Sequence, residues 1–322
     1  MKRIFASQTT LHKLEIFCTV CELQSVTRTA ERMSVAQPVV TAHLRFLEDK
    51  LGVKLFERSG RRLVLTAAGR RVHTWANEVI TRTRELEREL NISGEAELGT
   101  AIVSASMTVA SYVLPPLFSV FRQNHPTGGV TLLVSNPQLV TASVRDGSCD
   151  FGVCILDPRH DVDGLTVERL WIERLVLVTA AGSTLAGETV SPEEIAALPF
   201  VSSPRNQVRR ELEEDALRAH GIIGRQVVLE LGHPEAMKQA VRAHAGVAFV
   251  METSVRDECE RGLLRRIATP GVDLSVPVFL VSRRDKSFSD FQSSLMDFVR
   301  DSAVGGQPPV GFEVSDVKPP FR

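Results

Sequence analysis

The sequence predicts an α+β multidomain chain: an N-terminal winged helix-turn-helix with a long linker helix, then a two-lobed α/β domain. Three observations predict it. Val40, Leu44, Leu47 and Leu51 recur at helical spacing after a shorter amphipathic stretch, and an alternating pair of strands follows them. Residues 67–91 carry a second, longer helical stripe. From Gly99 onward short β-rich runs alternate with helices, the pattern of parallel strands covered on both faces.

In chain order, Thr10 precedes Leu11, Leu14, Phe17, Cys18 and Cys21, the apolar side of a first helix. Residues 25–33 read as a second, with Val26, Ala30 and Met33 inward. Ser34-Val35 turns the chain into a third helix that begins at about Ala36 or Gln37, because Pro38 fits only a first turn. Its apolar face leaves Gln37, Thr41 and Arg45 to a partner, and the second helix of such a pair enters the major groove of DNA. Residues 54–58 and 62–65 alternate around Ser59-Gly60-Arg61, a hairpin with a basic tip. Thr66 caps a helix running to about Asn91. Within it Val72, Val79 and Leu86 recur every seven residues beside Trp75, Ala76, Ile80 and Leu90. Such a stripe calls for a partner helix, so Val72, Trp75, Val79 and Leu86 are candidate dimerisation residues, with packing against their own domain as the alternative.

Residues 92–97 form a polar hinge. Strands are expected at 101–105, 130–134 and 151–155, with helices near 109–124 and 138–146. A strand at 165–171 crosses to a second lobe, whose sheet takes residues 175–179, 200–201, 227–231 and 247–250. Ser191-Pro192-Glu193-Glu194 is a capping box, and Gly221 ends a helix over 206–220. Residues 277–282 and a helix over 288–300, with Phe288, Phe291, Leu295 and Phe298 on one side, return to the first lobe. Two crossings make two lobes on a pair of strands, which can close over a ligand. The expected divisions are residues 1–66, 67–91, 92–97 and 98–303, with lobe I at about 98–171 and 276–303, lobe II at about 172–275, and a flexible tail at 304–322.

The chain is near neutral, with 38 basic against 39 acidic residues, but the charge is unevenly spread. Residues 1–90 carry 16 Lys and Arg against 10 Asp and Glu, the remainder 22 against 29, so the basic end is the one suited to a polyanion. No apolar run approaches a membrane span and no signal core opens the chain, so a cytoplasmic protein with no membrane partner is expected. Five cysteines are an odd, sparse set, unlike a secreted disulfide framework. Cys18-Thr19-Val20-Cys21 has the spacing of a redox or metal motif, but no second pair stands at ligand spacing, and core packing is the expected role. The acidic loop over 157–164 matches neither a calcium loop nor an HExxH pair. With no GxSxG, GxxxxGK[ST] or GxGxxG motif either, no catalytic residue, metal or cofactor is expected, and the chain reads as a non-enzyme.

Ala30-Glu31-Arg32, Gln37-Pro38, Leu47-Glu48, Leu51-Gly52, Leu55-Phe56-Glu57-Arg58, Leu65-Thr66 and Ala68-Gly69 form a spaced set, and through it residues 11 to about 90 resemble the DNA-binding domain and linker helix of LysR-type transcriptional regulators. The remaining chain to about residue 303 resembles their effector domain, itself similar to periplasmic binding proteins. The resemblance implies a sequence-specific regulator that binds an interrupted palindrome in double-stranded DNA as a homodimer or homotetramer, responds to a small-molecule effector, and has RNA polymerase as a candidate partner. Ala36 stands where a serine cap is usual, and Ala42 and His43 replace the common Arg-Gln pair, departures that bear on the operator sequence. Peroxide sensors of this family keep reactive cysteines in the second half of the effector domain; residues 175–220 contain none.

On this reading Gln37, Thr41 and His43 lie at base edges, with Pro38 among the DNA-binding residues of the same first turn, while Arg45, Arg58, Arg61 and Arg62 engage phosphates or the minor groove. In open α/β sheets the binding crevice lies beyond the carboxyl ends of the strands. The groups that converge there are Ser106, Met107, Thr108, Ser135, Asn136, Ser202, Ser203 and His233, with Arg205 near enough to add charge, and helix N-termini beside hydroxyls favour an anionic effector. The competing reading is a small-molecule-binding protein or metabolic enzyme whose N-terminal region only oligomerises.

Overall fold

The computed structural model describes residues 9–59, 62–92, 99–157, 159, 161–303 and 306–309. The extension over residues 1–8, Gly60 and Arg61 of the hairpin tip, the side chains of Arg62 and Leu90, the hinge over 93–97 and the tail beyond 309 lie outside the described set. The chain separates into two compact units, Met1–Ala96 and Glu97–Arg322.

In the first unit, α1 (Leu11–Leu23) starts where the Thr10 side chain accepts a bond from the Lys13 N–H, and it stops at Gln24, whose φ of 49° is left-handed. Ser25 caps α2 (Val26–Arg32) in the same way. The third helix, α3 (Gln37–Leu51), has Pro38 in its first turn and no side-chain bond from Ala36, and it ends at Gly52 with φ 70°. The strands β1 (Phe56–Ser59) and β2 (Arg62–Leu65) pair antiparallel with Ser59 opposite Arg62. Thr66 Oγ1 then accepts from the Gly69 N–H at 2.9 Å and opens α4 (Ala67–Ile92).

The core of this unit is Leu14, Ile16, Phe17, Val20, Val40, Leu47, Leu55, Ala76 and Ile80. Leu11, expected inward, is exposed. Val72 and Val79 correct the expected dimer stripe: they pack on this core, because positions 72, 76, 79 and 80 share the side of α4 that α1 covers. Trp75 and Leu86, on the flank of that side, remain exposed.

In the second unit, β3 (Thr100–Ser106) leads through a π-helical turn over Val109–Val113 into α5 (Leu114–Asn124). Then come β4 (Gly129–Ser135), α6 (Pro137–Arg145), β5 (Phe151–Ile155) and β6 (Leu165–Ala180). The second lobe holds α7 (Pro192–Ala197), β7 (Pro199–Ser202), α8 (Val208–Ala219), β8 (Gln226–Glu230), α9 (Pro234–Arg242), β9 (Ala248–Met251), α10 (Arg256–Glu260) and β10 (Leu264–Ile267). The chain returns along β11 (Leu274–Arg283) and ends this unit in α11 (Asp290–Asp301).

Among the described residues these strands form one seven-stranded sheet, ordered β10-β6-β11-β5-β3-β4 with β9 also on β6, and a separate parallel pair β7-β8. The strand β3 runs parallel to both β4 and β5, while β11 is antiparallel to β5 and β6. The two strands expected at 165–171 and 175–179 are one strand of 16 residues. Glu173 and Arg174 interrupt its apolar pattern, yet pairing with β11 carries it through, with Leu274 opposite Leu175 and Arg283 opposite Leu165. The register shifts once, between Val278 and Phe279. The strand β10 was not expected, because Arg265-Arg266 reads as a loop until β6 supplies its partner. The expected capping box at Ser191 forms, as does the left-handed stop at Gly221, with φ 77°.

Candidate nucleic-acid interface and effector cleft

The outer face of α3 carries Gln37, Pro38, Thr41, Ala42, Arg45, Phe46 and Asp49 around one open hollow. Gln37, Pro38 and Arg45 are exposed and Thr41 is half-buried, its hydroxyl donating to the Gln37 carbonyl at 3.2 Å. The inner face buries Val40, Leu44 and Leu47, so packing holds the rod while its polar side stays open. Glu48 ties the rod to the hairpin: its carboxylate accepts from the Leu55 N–H at 2.9 Å and from Lys54 at 2.6 Å. Burial pushes this carboxyl up, but Lys54 and the two backbone donors Leu55 and Phe56 outweigh it and hold the net value below the usual carboxylate range. Arg58 is exposed on β1.

His43 is not part of that face. Its ring meets the His12 ring of α1 edge-on at 6.1 Å, and its Nδ1 is shielded from solvent without a hydrogen-bond partner among the described residues. Desolvation, then Lys13 and His12, lower its pKa, which favours the neutral ring. The reason is angular. At about 100° per residue, Pro38, Ala42, Arg45 and Asp49 fall on one line, and position 43 lies about 130° from it. The same helical angles bring Ala42 and Asp49 to this face, with Phe46 at its edge.

The second unit holds a cleft between its lobes. Ser106, Met107 and Thr108 follow β3, Ser135, Asn136 and Pro137 follow β4, and Ile155 ends β5; Ser203, Gln207, Arg209, Gly232, Pro234 and Met237 face them from the second lobe. Six of the eight expected effector residues therefore meet: Ser106, Met107, Thr108, Ser135, Asn136 and Ser203. Ser202 and His233 do not line it. Ser202 is fully buried at the end of β7, while His233 is exposed and its Nδ1 caps α9 by accepting the Glu235 N–H at 3.2 Å. Arg205 is also corrected: it is 84% exposed, 4.0 Å from Glu230.

The cation of the cleft is Arg209, only 8% exposed. Its Nη2 donates to the Phe249 carbonyl, while its Nε and the hydroxyls of Ser106 and Ser203 have no partner among the described residues. No carboxylate is among the lining residues. The cleft is narrow, with a volume of about 50 Å³, so the lobes stand close together. Among the described residues, the hydrogen bonds that cross between them include those of Tyr112 with Glu235 and Lys238 and that of Arg159, held by Asp157, with Asp215.

Among the described residues no group of three or more His, Cys, Asp or Glu side chains could hold a metal, and no helix is long and apolar enough to cross a membrane. Asp157 and Arg159 of the acidic loop pair with each other, and Pro158 and His160 lie outside the described set. None of the five cysteines is in a disulfide. Burial pushes the Cys149 and Cys154 thiols up to about 12, and raises Cys21 as well, which suits packing rather than thiolate chemistry.

Comparison with known proteins agrees with both halves of this geometry. Residues 11–70 match the family of bacterial regulatory helix-turn-helix proteins of the lysR type, and residues 94–304 match the LysR substrate binding domain. The uncharacterized HTH-type transcriptional regulator YeiE of Escherichia coli K12 is 30% identical over 290 residues, covering 90% of this chain and 96% of that protein. Among solved structures, Vibrio fischeri DarR in complex with DNA has a TM-score of 0.54 at 15% identity, covering 91% of this chain and 99% of that one. The regulatory domain of Synechocystis PCC6803 CcmR in complex with 2-PG has a TM-score of 0.57 at 19% identity, covering 64% of this chain and 98% of that one. The chain belongs to the LysR family of helix-turn-helix transcriptional regulators.

Proposed function

We propose that α3 reads a double-stranded operator through Gln37, Pro38, Thr41 and Arg45, with Ala42 in place of His43 on the reading face, and that Arg58, Arg61 and Arg62 of the hairpin engage phosphates or the minor groove. An anionic small molecule in the cleft then biases the lobes, and with them the bound DNA, by the difference in its affinity for two arrangements. The observation that carries this reading is the convergence of Ser106, Thr108, Ser203 and Arg209 from two lobes, buried donors in a cleft whose lining includes no carboxylate. The complexes of DarR with DNA and of CcmR with 2-PG support the two partner classes. Trp75 and Leu86 are exposed on α4, and a second copy packed along that helix would set two reading helices on successive half-sites of the palindrome. The divisions given above, winged domain, linker helix, hinge, effector domain and tail, are the working units of such a regulator, which acts in the cytoplasm beside its DNA.

A gel-shift titration across salt tests the first half, since phosphate contacts give a steep negative slope of log affinity against log salt. Met237→Trp, which fills the cleft, tests the second: DNA binding persists and the response to effector disappears. A flat salt slope, or an undiminished response in Met237→Trp, overturns the corresponding half.

A further inference from the structure

We infer that the effector presents a single negative charge to Arg209, because the buried ionic cluster behind the cleft is one anion short. The inference rests on reading the cleft as the effector site. Arg209, Glu213 and Arg225 are all shielded from water, with side chains 9%, 1% and 3% exposed. Arg225 Nη1 donates to Glu213 and its guanidinium lies 4.9 Å over the Phe200 ring. Arg209 stands 3.9 Å from the other oxygen of Glu213, beyond hydrogen-bond reach. Two cations thus share one carboxylate. The neighbouring Arg210 is matched separately, by Glu214 at 2.5 Å and by the Ser203 carbonyl.

A buried charge without a counter-charge is costly and calls for a partner. Arg209 is also the second residue of α8, where the helix dipole is already positive and a cation is out of place, and Gln207 makes no side-chain cap there. Guanidinium and helix terminus both favour an anion at the same end of the cleft. One unit of charge is missing, and no second cation is among the lining residues, so a singly charged head fits better than a doubly charged phosphate ester. Around that head the walls are Met107, Ile155, Pro234 and Met237, which suit an apolar remainder. The geometry points to a small monocarboxylate.

The test uses the full chain with benzoate, hexanoate, benzamide, hexanamide and phenyl phosphate, at matched ionic strength, read by calorimetry and thermal shift. The acids are expected to bind about tenfold or more tighter than their amides and than phenyl phosphate. In Arg209→Gln the gap between acid and amide falls below about threefold, while Arg209→Lys keeps it, which separates lost charge from lost folding. Arg205→Gln, outside the cleft, keeps the wild-type gap. Amides or phenyl phosphate binding as well as the acids, no acid binding at all, or an undiminished gap in Arg209→Gln overturns the inference. Met237→Trp separates this failure from failure of the site itself: if it abolishes binding of whichever probe binds, the cleft stands and only the charge assignment falls.

Discussion

The phenol of Tyr112, in the first lobe, accepts a hydrogen bond from the Lys238 ammonium of the second lobe at 2.7 Å. Lys238 is 1% exposed and is further held by Glu258, by Glu235 at 3.0 Å and by the Ser254 carbonyl at 2.8 Å. Burial by itself would lower the lysine, but Glu258, Tyr112 and Glu235 keep its net pKa above the ordinary value, so the ammonium stays charged. Because Pro234 and Met237, in the first turn of the same helix, line the cleft, this contact fastens the lobes beside the effector. Tyr112→Phe removes the hydroxyl and keeps the ring. The expected loss is about 1 kcal/mol in urea unfolding of the effector domain, with a larger radius of gyration in solution scattering. Unchanged stability together with an unchanged radius would show that the contact does not hold the lobes.

Glu235 predicts an acid dependence. Burial opposes its ionisation, but bonds from Gln239, Tyr112 and Lys238 hold its carboxyl down to about 2, against 4.5 ordinarily. A group whose pKa is depressed by folding adds stability above its unfolded value and loses it as pH falls. The stability gap between wild type and Glu235→Gln should therefore be constant above about pH 5 and close between pH 4.5 and about 2. Because the side chain is 42% exposed, solvent screening keeps the gap small. A gap that widens on acidification contradicts the assignment.

Gly69 predicts a steric dependence. A Cβ there would lie 2.0 Å from the Leu55 carbonyl oxygen and 2.9 Å from Leu65 Cδ2. Alanine ordinarily favours a helix over glycine, but here the first turn of α4 lies against the end of the hairpin and the clash decides the sign. Gly69→Ala should lower the stability of the winged domain by roughly 2 kcal/mol in thermal unfolding. A stabilised variant would mean that the helix and hairpin separate freely.

The face of α3 predicts three different responses. Arg45→Ala should weaken binding to all DNA sequences and flatten the salt slope by about one unit. Thr41→Ala should shift base preference by about 1–3 kcal/mol at one operator position, read by selection from a random library. His43→Ala should leave preference unchanged and lower only stability, since its ring is engaged with α1. A change in base preference in His43→Ala would return that residue to the reading face.

Sequence patterns within a few residues were enough for the helices and their ends. Thr10, Ser25 and Ser191 bond to backbone three residues on, and Gly52 and Gly221 adopt the left-handed stop, interactions that a short segment completes by itself. The carboxyl ends of β3 and β4 were legible for the same reason, and with them Ser106, Met107, Thr108, Ser135 and Asn136. Other positions depended on partners far along the chain. Arg209 takes its place in the cleft only because Phe249, Glu213 and Arg225 surround it. Val72 and Val79 fitted a second copy as well as their own core, because periodicity names the apolar side of a helix and not what covers it. The sequence by itself determined which segments fold, where they stop and which face of each is apolar. The tertiary structure alone decided which charges are buried together and which side chains share the cleft, because burial and ion pairing are set by neighbours that the order of residues does not bring near.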